Sequence, residues 1–197
     1  RAKVYAKKVE GGYSLYGSKD YYVEILPGKK TEAKASPKMS FFITSKNPGK
    51  GADLGGLAGA DAYCATLATN VGVGDKVWKA YLSTASKDGI LGVNARDRIG
   101  NGPWYNYNGE LIASDLNELH RVNKLTKQTA LTEQGDVVFG RGDSVNIHDI
   151  LTGSNDVGMS VATSTDTTCS NWTSGDAGSA YVGHHDRIGI NDSAPMK

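Results

Sequence analysis

The spacing of apolar positions changes at residue 53, where the chain reads DLGGLAGADAYCATLATNVG. Leu57, Ala60, Cys64, Leu67, Ala68 and Val71 fall on one face of a helix. Asp53 is placed to cap its start and Gly72 to stop its end. This face turns Cys64 toward the core. Ahead of it, residues 39–44 (MSFFIT) are a β-rich run that predicts a buried strand, and residues 76–83 (KVWKAYLS) predict another strand packed on the helix. Residues 93–98 are too short for their pattern to settle an element and suggest one helical turn at most. Trp104 to Ile112 carries the turn dipeptide Asn108-Gly109 of a β-hairpin. Ser114 or Asp115 caps a short helix ending near His120, with Leu116 and Leu119 inward. Residues 121–180 are rich in Thr, Ser, Gly, Asn and Asp with brief apolar islands, the pattern of long loops that carry binding surfaces.

Before residue 39 the alternation is weaker, as in Lys3-Val4-Tyr5-Ala6 and Tyr22-Val23-Glu24-Ile25-Leu26. With turns at Gly11-Gly12 and Gly17-Ser18, it predicts two or three short antiparallel strands. Charge separates this stretch from the rest. Residues 1–38 hold nine basic side chains against four acidic, residues 39–197 thirteen against seventeen, and half of the ten tyrosines lie in the first stretch. Residues 1–38 therefore read as a basic, Tyr-rich arm that docks on a neighbour and ends in a linker after Pro27-Gly28. Residues 39–197 read as the main domain. The start at Arg1 suggests a trimmed product whose targeting peptide has gone.

The 197 residues suffice for one domain and a small appendage, and the 25 glycines suggest many turns and few long helices. A net charge of +1 argues against a nucleic-acid binder, and no apolar stretch has the length of a membrane span. The two cysteines, Cys64 and Cys169, have no zinc-type spacing and read as buried free thiols or one long-range disulfide. Asn171-Trp172-Thr173 and Asn191-Asp192-Ser193 are glycosylation sequons.

GGLAGADAYC followed by VWKAYLS resembles the first helix and following strand of the endostatin domain of collagens, and is closer still to bacterial exported proteins described as lectin-like. DRIGNGPWYN, GRGDS, HDILTGS, TCSNWTS and GHHDR continue the likeness in the same order, over most of residues 39–190. The resemblance implies a C-type-lectin-like α+β domain with two helices, a twisted, mainly antiparallel sheet and long loops. Relatives of this type continue past the GHHDR region into strands that carry two further cysteines. The resemblance therefore implies that Cys64 and Cys169 pair with partners missing from this chain, not with each other, and that the C-terminal strands of the domain are lacking.

Sugar-binding members of the fold hold calcium through Glu-Pro-Asn or Gln-Pro-Asp and a Trp-Asn-Asp strand, because a hard cation needs converging oxygen ligands. Neither element is present, and Ser170-Asn171-Trp172 is a faint echo; the resemblance raises calcium, the residues do not support it, and no cofactor is expected. The candidate ligand-binding residues are Trp104, Arg141, Asp143, His148, Asp149, Asn155, Asp156, Trp172 and His185. Trp104 and Trp172 are sugar-stacking candidates if exposed, although such residues are more often buried. Arg141-Gly142-Asp143-Ser144 matches an integrin-type tetrapeptide, against the plainer reading of a loop held by its own Arg–Asp bonding. His148-Asp149 and His184-His185-Asp186 offer nitrogen and oxygen ligands to a metal of unknown identity. Adjacent histidines on a strand point to opposite faces, so one of a pair ligates at most, and the commoner outcome is a histidine bonded inside a polar network. Asn155-Asp156 is an oxygen-rich turn, and Asp97 between Arg96 and Arg98 reads as a loop anchor held by ion pairing.

GxSxG, HExxH and phosphate-cradling glycine motifs are absent, so no enzyme is expected. The expectation is a non-catalytic, lectin-like recognition module, secreted, periplasmic or at the cell surface, that binds glycan or protein through its loops. The alternative is a structural subunit of an extracellular or envelope assembly that meets its partner subunits through residues 1–38.

Overall fold

A computed structural model describes residues 34–48, 50–163 and 165–187 in full, together with the backbone of three N-terminal strands. The side chains of the Tyr-rich arm, the linker around Pro27-Gly28 and the Asn191 sequon lie outside the described residues. The chain divides into two compact units, Arg1–Lys34 and Ala35–Lys197. In the first, β1 (Val4–Val9), β2 (Gly12–Gly17) and β3 (Tyr22–Glu24) form an antiparallel sheet in sequential order. Its register pairs Tyr5 with Tyr16 and Tyr16 with Tyr22.

The second unit is mixed α and β. Helix α1 (Gly56–Asn70) starts three residues after Asp53, which is not its cap: Gly55 holds the capping position, and the Asp53 carboxylate accepts from Gly55 N at 3.3 Å. The stop is as the sequence suggests. Gly72 adopts a φ of 82°, and the N–H groups of Gly72 and Val73 close on Thr69 O and Ala68 O. A 3-10 turn at Ala95–Asp97 precedes the hairpin of β4 (Trp104–Tyr105) and β5 (Leu111–Ala113). Helix α2 (Leu116–Leu119) is capped by Asp115, whose carboxylate accepts from Asn117 N and Glu118 N. β6 (Asp149–Leu151) pairs antiparallel with β7 (Val182–His184), with α3 (Cys169–Trp172) between them in sequence.

The strands expected over 39–44 and 76–83 do not form ladders. Ile43 makes an isolated parallel bridge to Thr132. In the second stretch, Ala80 N is taken by the Asp61 carboxylate at 2.9 Å and Ser83 N by Thr152 O at 2.8 Å. These backbone groups find partners on different elements, so both segments enter the core as irregular chain. Instead of one continuous sheet, the described part of the second unit has two short antiparallel pairs and scattered bridges.

Four apolar clusters fill this unit. Met39, Ala68, Val73, Trp78, Tyr107 and Leu131 form one, with Cys64 packed against it. Ala60, Leu82 and Trp172 form another; Trp104, Ile112 and Ala113 a third, which takes in Leu116 and Leu119; and Ile43, Ala130 and Val138 a fourth. Residues 35–38 belong here: Ala35 is buried, and Ser36 N bonds to Tyr107 O. The cysteines are both free.

Candidate functional site

The ribbon of β6 and β7 gathers the chemistry. Ile150 packs against the Ile43 cluster and Leu151 against the Trp172 cluster, which anchors β6 and leaves the Asp149 side chain 60% exposed. Register places Asp149 directly opposite His184, and directly paired residues in an antiparallel ladder present side chains on one face. His148, just before β6, stacks its ring on His184 with centroids 4.1 Å apart and planes 13° from parallel. Asp149 Oδ1 lies 3.0 Å from His184 Nε2 and 3.3 Å from His148 Nε2.

Behind this trio stands Asp186, whose side chain is fully buried. Its Oδ1 lies 3.4 Å from His148 Nδ1, and its Oδ2 accepts from Arg141 N at 2.7 Å. Gly140 makes that approach feasible: a Cβ there would stand 2.5 Å from Asp186 Oδ2. His185, expected as a ligand, turns into the interior. It is 5% exposed, its Nε2 lies 3.1 Å from Phe139 O, and its Nδ1 is buried without a hydrogen-bond partner. The two histidines thus point apart where the chain leaves β7, and it is His184, the last residue of the strand, that shares a face with Asp149. Of His184-His185-Asp186, the candidate ligand-binding residues take His185, whereas the structure brings His184 and Asp186 to this site. The selecting signal, the Asp149–His184 register, depends on pairing between residues 35 positions apart in the chain.

The Arg141-Gly142-Asp143-Ser144 loop is tied into the fold. Asp143 accepts from Gly140 N at 2.6 Å and pairs with Lys127 at 2.6 Å. The Lys127 ammonium and the Gly140 N–H hold the carboxyl below the usual range. Its ion-pair partner is thus Lys127, on a different loop from the expected arginine, and Arg141 contributes its backbone N–H to Asp186. The chain nearby carries exposed apolar side chains: Val137, Phe139, Val145 and Ile147 are each about half exposed.

Trp104 and Trp172 are core residues, 7% and 0% exposed, so neither offers a face to a sugar. Trp172 donates Nε1–H to Ser83 O at 2.8 Å. Asn171 exchanges two bonds with Ala85, Ala85 N to Oδ1 and Nδ2 to Ala85 O, which occupies the amide of its sequon. Asn155 spends Oδ1 on its own turn, accepting from Val157 N and Met159 N, and Asp156 is exposed beside it. Arg98 Nη2 donates to both Asp61 oxygens at 3.0 and 2.8 Å, while Asp97 accepts from Asn94 Nδ2, so the ion pair of that segment belongs to Asp61. Tyr81 and His120 form a separate polar pair, Oη to Nε2 2.8 Å, with His120 Nδ1 on Leu116 O; burial pushes the Tyr81 phenol up to about 12. An open hollow of about 400 Å³ bounded by Ser86, Leu91, Asn94, Ser160 and Thr163 has no ionisable side chain in its lining.

Comparison with known proteins returns no match, whether to protein-family models, to curated proteins or to solved structures.

Proposed function

We propose that the chain is a non-catalytic recognition module, lectin-like in build, that binds a macromolecule through the loop surface between residues 121 and 187. The observation that carries this reading is the segment from Val137 to Ile147. It exposes Val137, Phe139, Val145 and Ile147 while its backbone is pinned by Asp143, Lys127 and Asp186. Exposed apolar side chains on a preorganised loop lower the entropic cost of binding and mark an interaction surface. Their apolar character favours a protein ligand over a glycan. The described carboxylates with lowered pKa, Asp61, Asp115, Glu118, Asp143 and Asp166, are each bonded to backbone or side-chain groups of the fold.

The finer assignment to a C-type-lectin-like, endostatin-like domain, with Cys64 and Cys169 bridged to partners outside this chain, rests on the sequence resemblance. So does an extracellular, periplasmic or cell-surface setting. A second reading, a structural subunit of an assembly, is favoured by the separate compact unit of residues 1–34, whose three-stranded sheet has β1 and β3 as its outer strands, the kind of element that strand addition uses.

One experiment separates the two. The full chain, the chain without residues 1–34, and the Phe139→Ser/Ile147→Ser variant are applied to arrays of glycans and of extracellular proteins, with molar mass read by light scattering. The module reading expects binding to protein spots that survives the deletion and weakens by at least about tenfold in the double variant, as for loss of central apolar anchors. Absence of any binding, together with an oligomer that becomes a monomer on deletion, overturns it in favour of the assembly subunit.

A further inference from the structure

We propose that His148, Asp149 and His184 form a binding site for one divalent transition-metal ion of the zinc class. The ligand atoms of the three lie within 4.8 Å of one another. Asp149 Oδ1 stands 3.3 Å from His148 Nε2 and 3.0 Å from His184 Nε2. A tetrahedral zinc ion with bonds of roughly 2.0–2.1 Å sets neighbouring ligand atoms roughly 3.3 Å apart, which the two Asp149–histidine distances approach, while the His148–His184 pair, within 4.8 Å, closes on the ion as the rings turn. Ligand chemistry selects the class: two imidazoles and one carboxylate suit zinc, nickel, cobalt or copper, whereas calcium wants six or more oxygens.

A second observation points the same way. Asp186, fully buried and fixed by Arg141 N, faces His148 Nδ1. A carboxylate behind an imidazole selects the tautomer whose proton lies on Nδ1 and turns the Nε2 lone pair outward. That lone pair then faces Asp149 Oδ1 at 3.3 Å. A divalent ion set between them takes both atoms as ligands in place of a shared proton. The stacked His184 ring holds a third donor nearby, its Nε2 reaching the same ion once the two rings rotate out of parallel, and the exposure of Asp149 leaves an entry path from solvent. Three protein ligands leave a fourth position for water or for a donor carried by a bound molecule. The site would clamp β6 to β7 at the end of their ladder, and it stands whether or not the neighbouring loop surface binds a partner.

The test is titration of the full chain, stripped with chelator, with zinc by calorimetry and with cobalt by absorption. The expected result is uptake of one ion per chain, a cobalt spectrum without a thiolate charge-transfer band, and no displacement by calcium. Asp149→Asn, at an exposed position that folding tolerates, and His184→Asn each weaken zinc binding by at least about tenfold. Asp186→Asn, checked for native circular dichroism, weakens it by about 10–100-fold through the orientation of His148. His185→Gln, with its ring turned away from the site, retains binding. No uptake up to millimolar zinc, uptake unchanged by Asp149→Asn, a thiolate band, or displacement by calcium each overturns the proposal.

Discussion

Cys64 illustrates how environment overrides residue type. Its thiol packs against the Trp78 and Ala68 cluster, and burial, followed by the nearby Asp61 carboxylate, pushes it from an ordinary 9.0 up to about 11, against an opposing pull from Arg98. The thiolate is the reactive species, and a shift of this size lowers its fraction at pH 8 by roughly 100-fold. In the chain without disulfide partners, where Cys64 is a free thiol, iodoacetamide at pH 8 is expected to modify Cys64 in the native protein roughly 100-fold more slowly than in urea, as counted by mass spectrometry of the peptide that carries it. Equal rates in the two states would refute the packing of α1 against that cluster. Cys169 is also raised, by burial and by Asp166, with no value attached.

At the scale of elements, the most unusual feature is α3, in which Cys169, Ser170, Asn171 and Trp172 all have positive φ, between 46° and 67°. It is a left-handed turn without a glycine, and such backbone costs roughly 1–2 kcal/mol per residue. The surroundings hold it in place: Trp172 is fully buried, Asn171 grips Ala85, and Asp166 Oδ2 accepts from Ser170 N at 2.6 Å. Ser170 is exposed, so Ser170→Gly relieves the steric penalty without a cavity and is expected to stabilise the chain by about 0.5–1 kcal/mol. Urea unfolding measures this, and a destabilised variant would show that the turn is not left-handed at that residue. Such a turn has no local signature, which is why TCSNWTS is legible only as a segment of a resemblance. Helix α1, the Asn108-Gly109 hairpin and the Asp115 cap are legible because period, turn chemistry and capping are set within a few residues. Residues 39–44 and 76–83 are not, because strand propensity cannot say whether a partner strand arrives to complete a ladder. The choice between His184 and His185 fails for the same reason: alternation separates them, and only long-range register says which one meets Asp149.

Across the whole second unit, Asp61 joins parts of the chain that share no regular element. From the middle of α1 it holds Lys79 at 2.8 Å, Ala80 N at 2.9 Å and Arg98 Nη2, so the helix, the irregular segment over 76–83 and the turn before β4 meet at one carboxylate. Burial alone would raise its pKa, but the bonds from Lys79, Ala80 and Arg98 outweigh burial and hold the carboxyl below its ordinary 3.8. A folded pKa depressed in this way contributes stability that is fully present above the unfolded value and is lost as pH falls through the folded one. Asp61→Asn also leaves the Arg98 guanidinium, 12% exposed, without its carboxylate. The variant is therefore expected to lose about 2–3 kcal/mol at pH 7. That difference should shrink as pH falls below the ordinary 3.8 and the wild-type carboxyl itself takes up a proton. All three tryptophans, Trp78, Trp104 and Trp172, lie in this unit, so urea unfolding followed by their fluorescence reports on it without contribution from residues 1–34. A gap between wild type and variant that stays constant from pH 7 to pH 2 would mean that the Asp61 charge does not hold these segments together, and that apolar burial alone joins α1 to the rest of the unit.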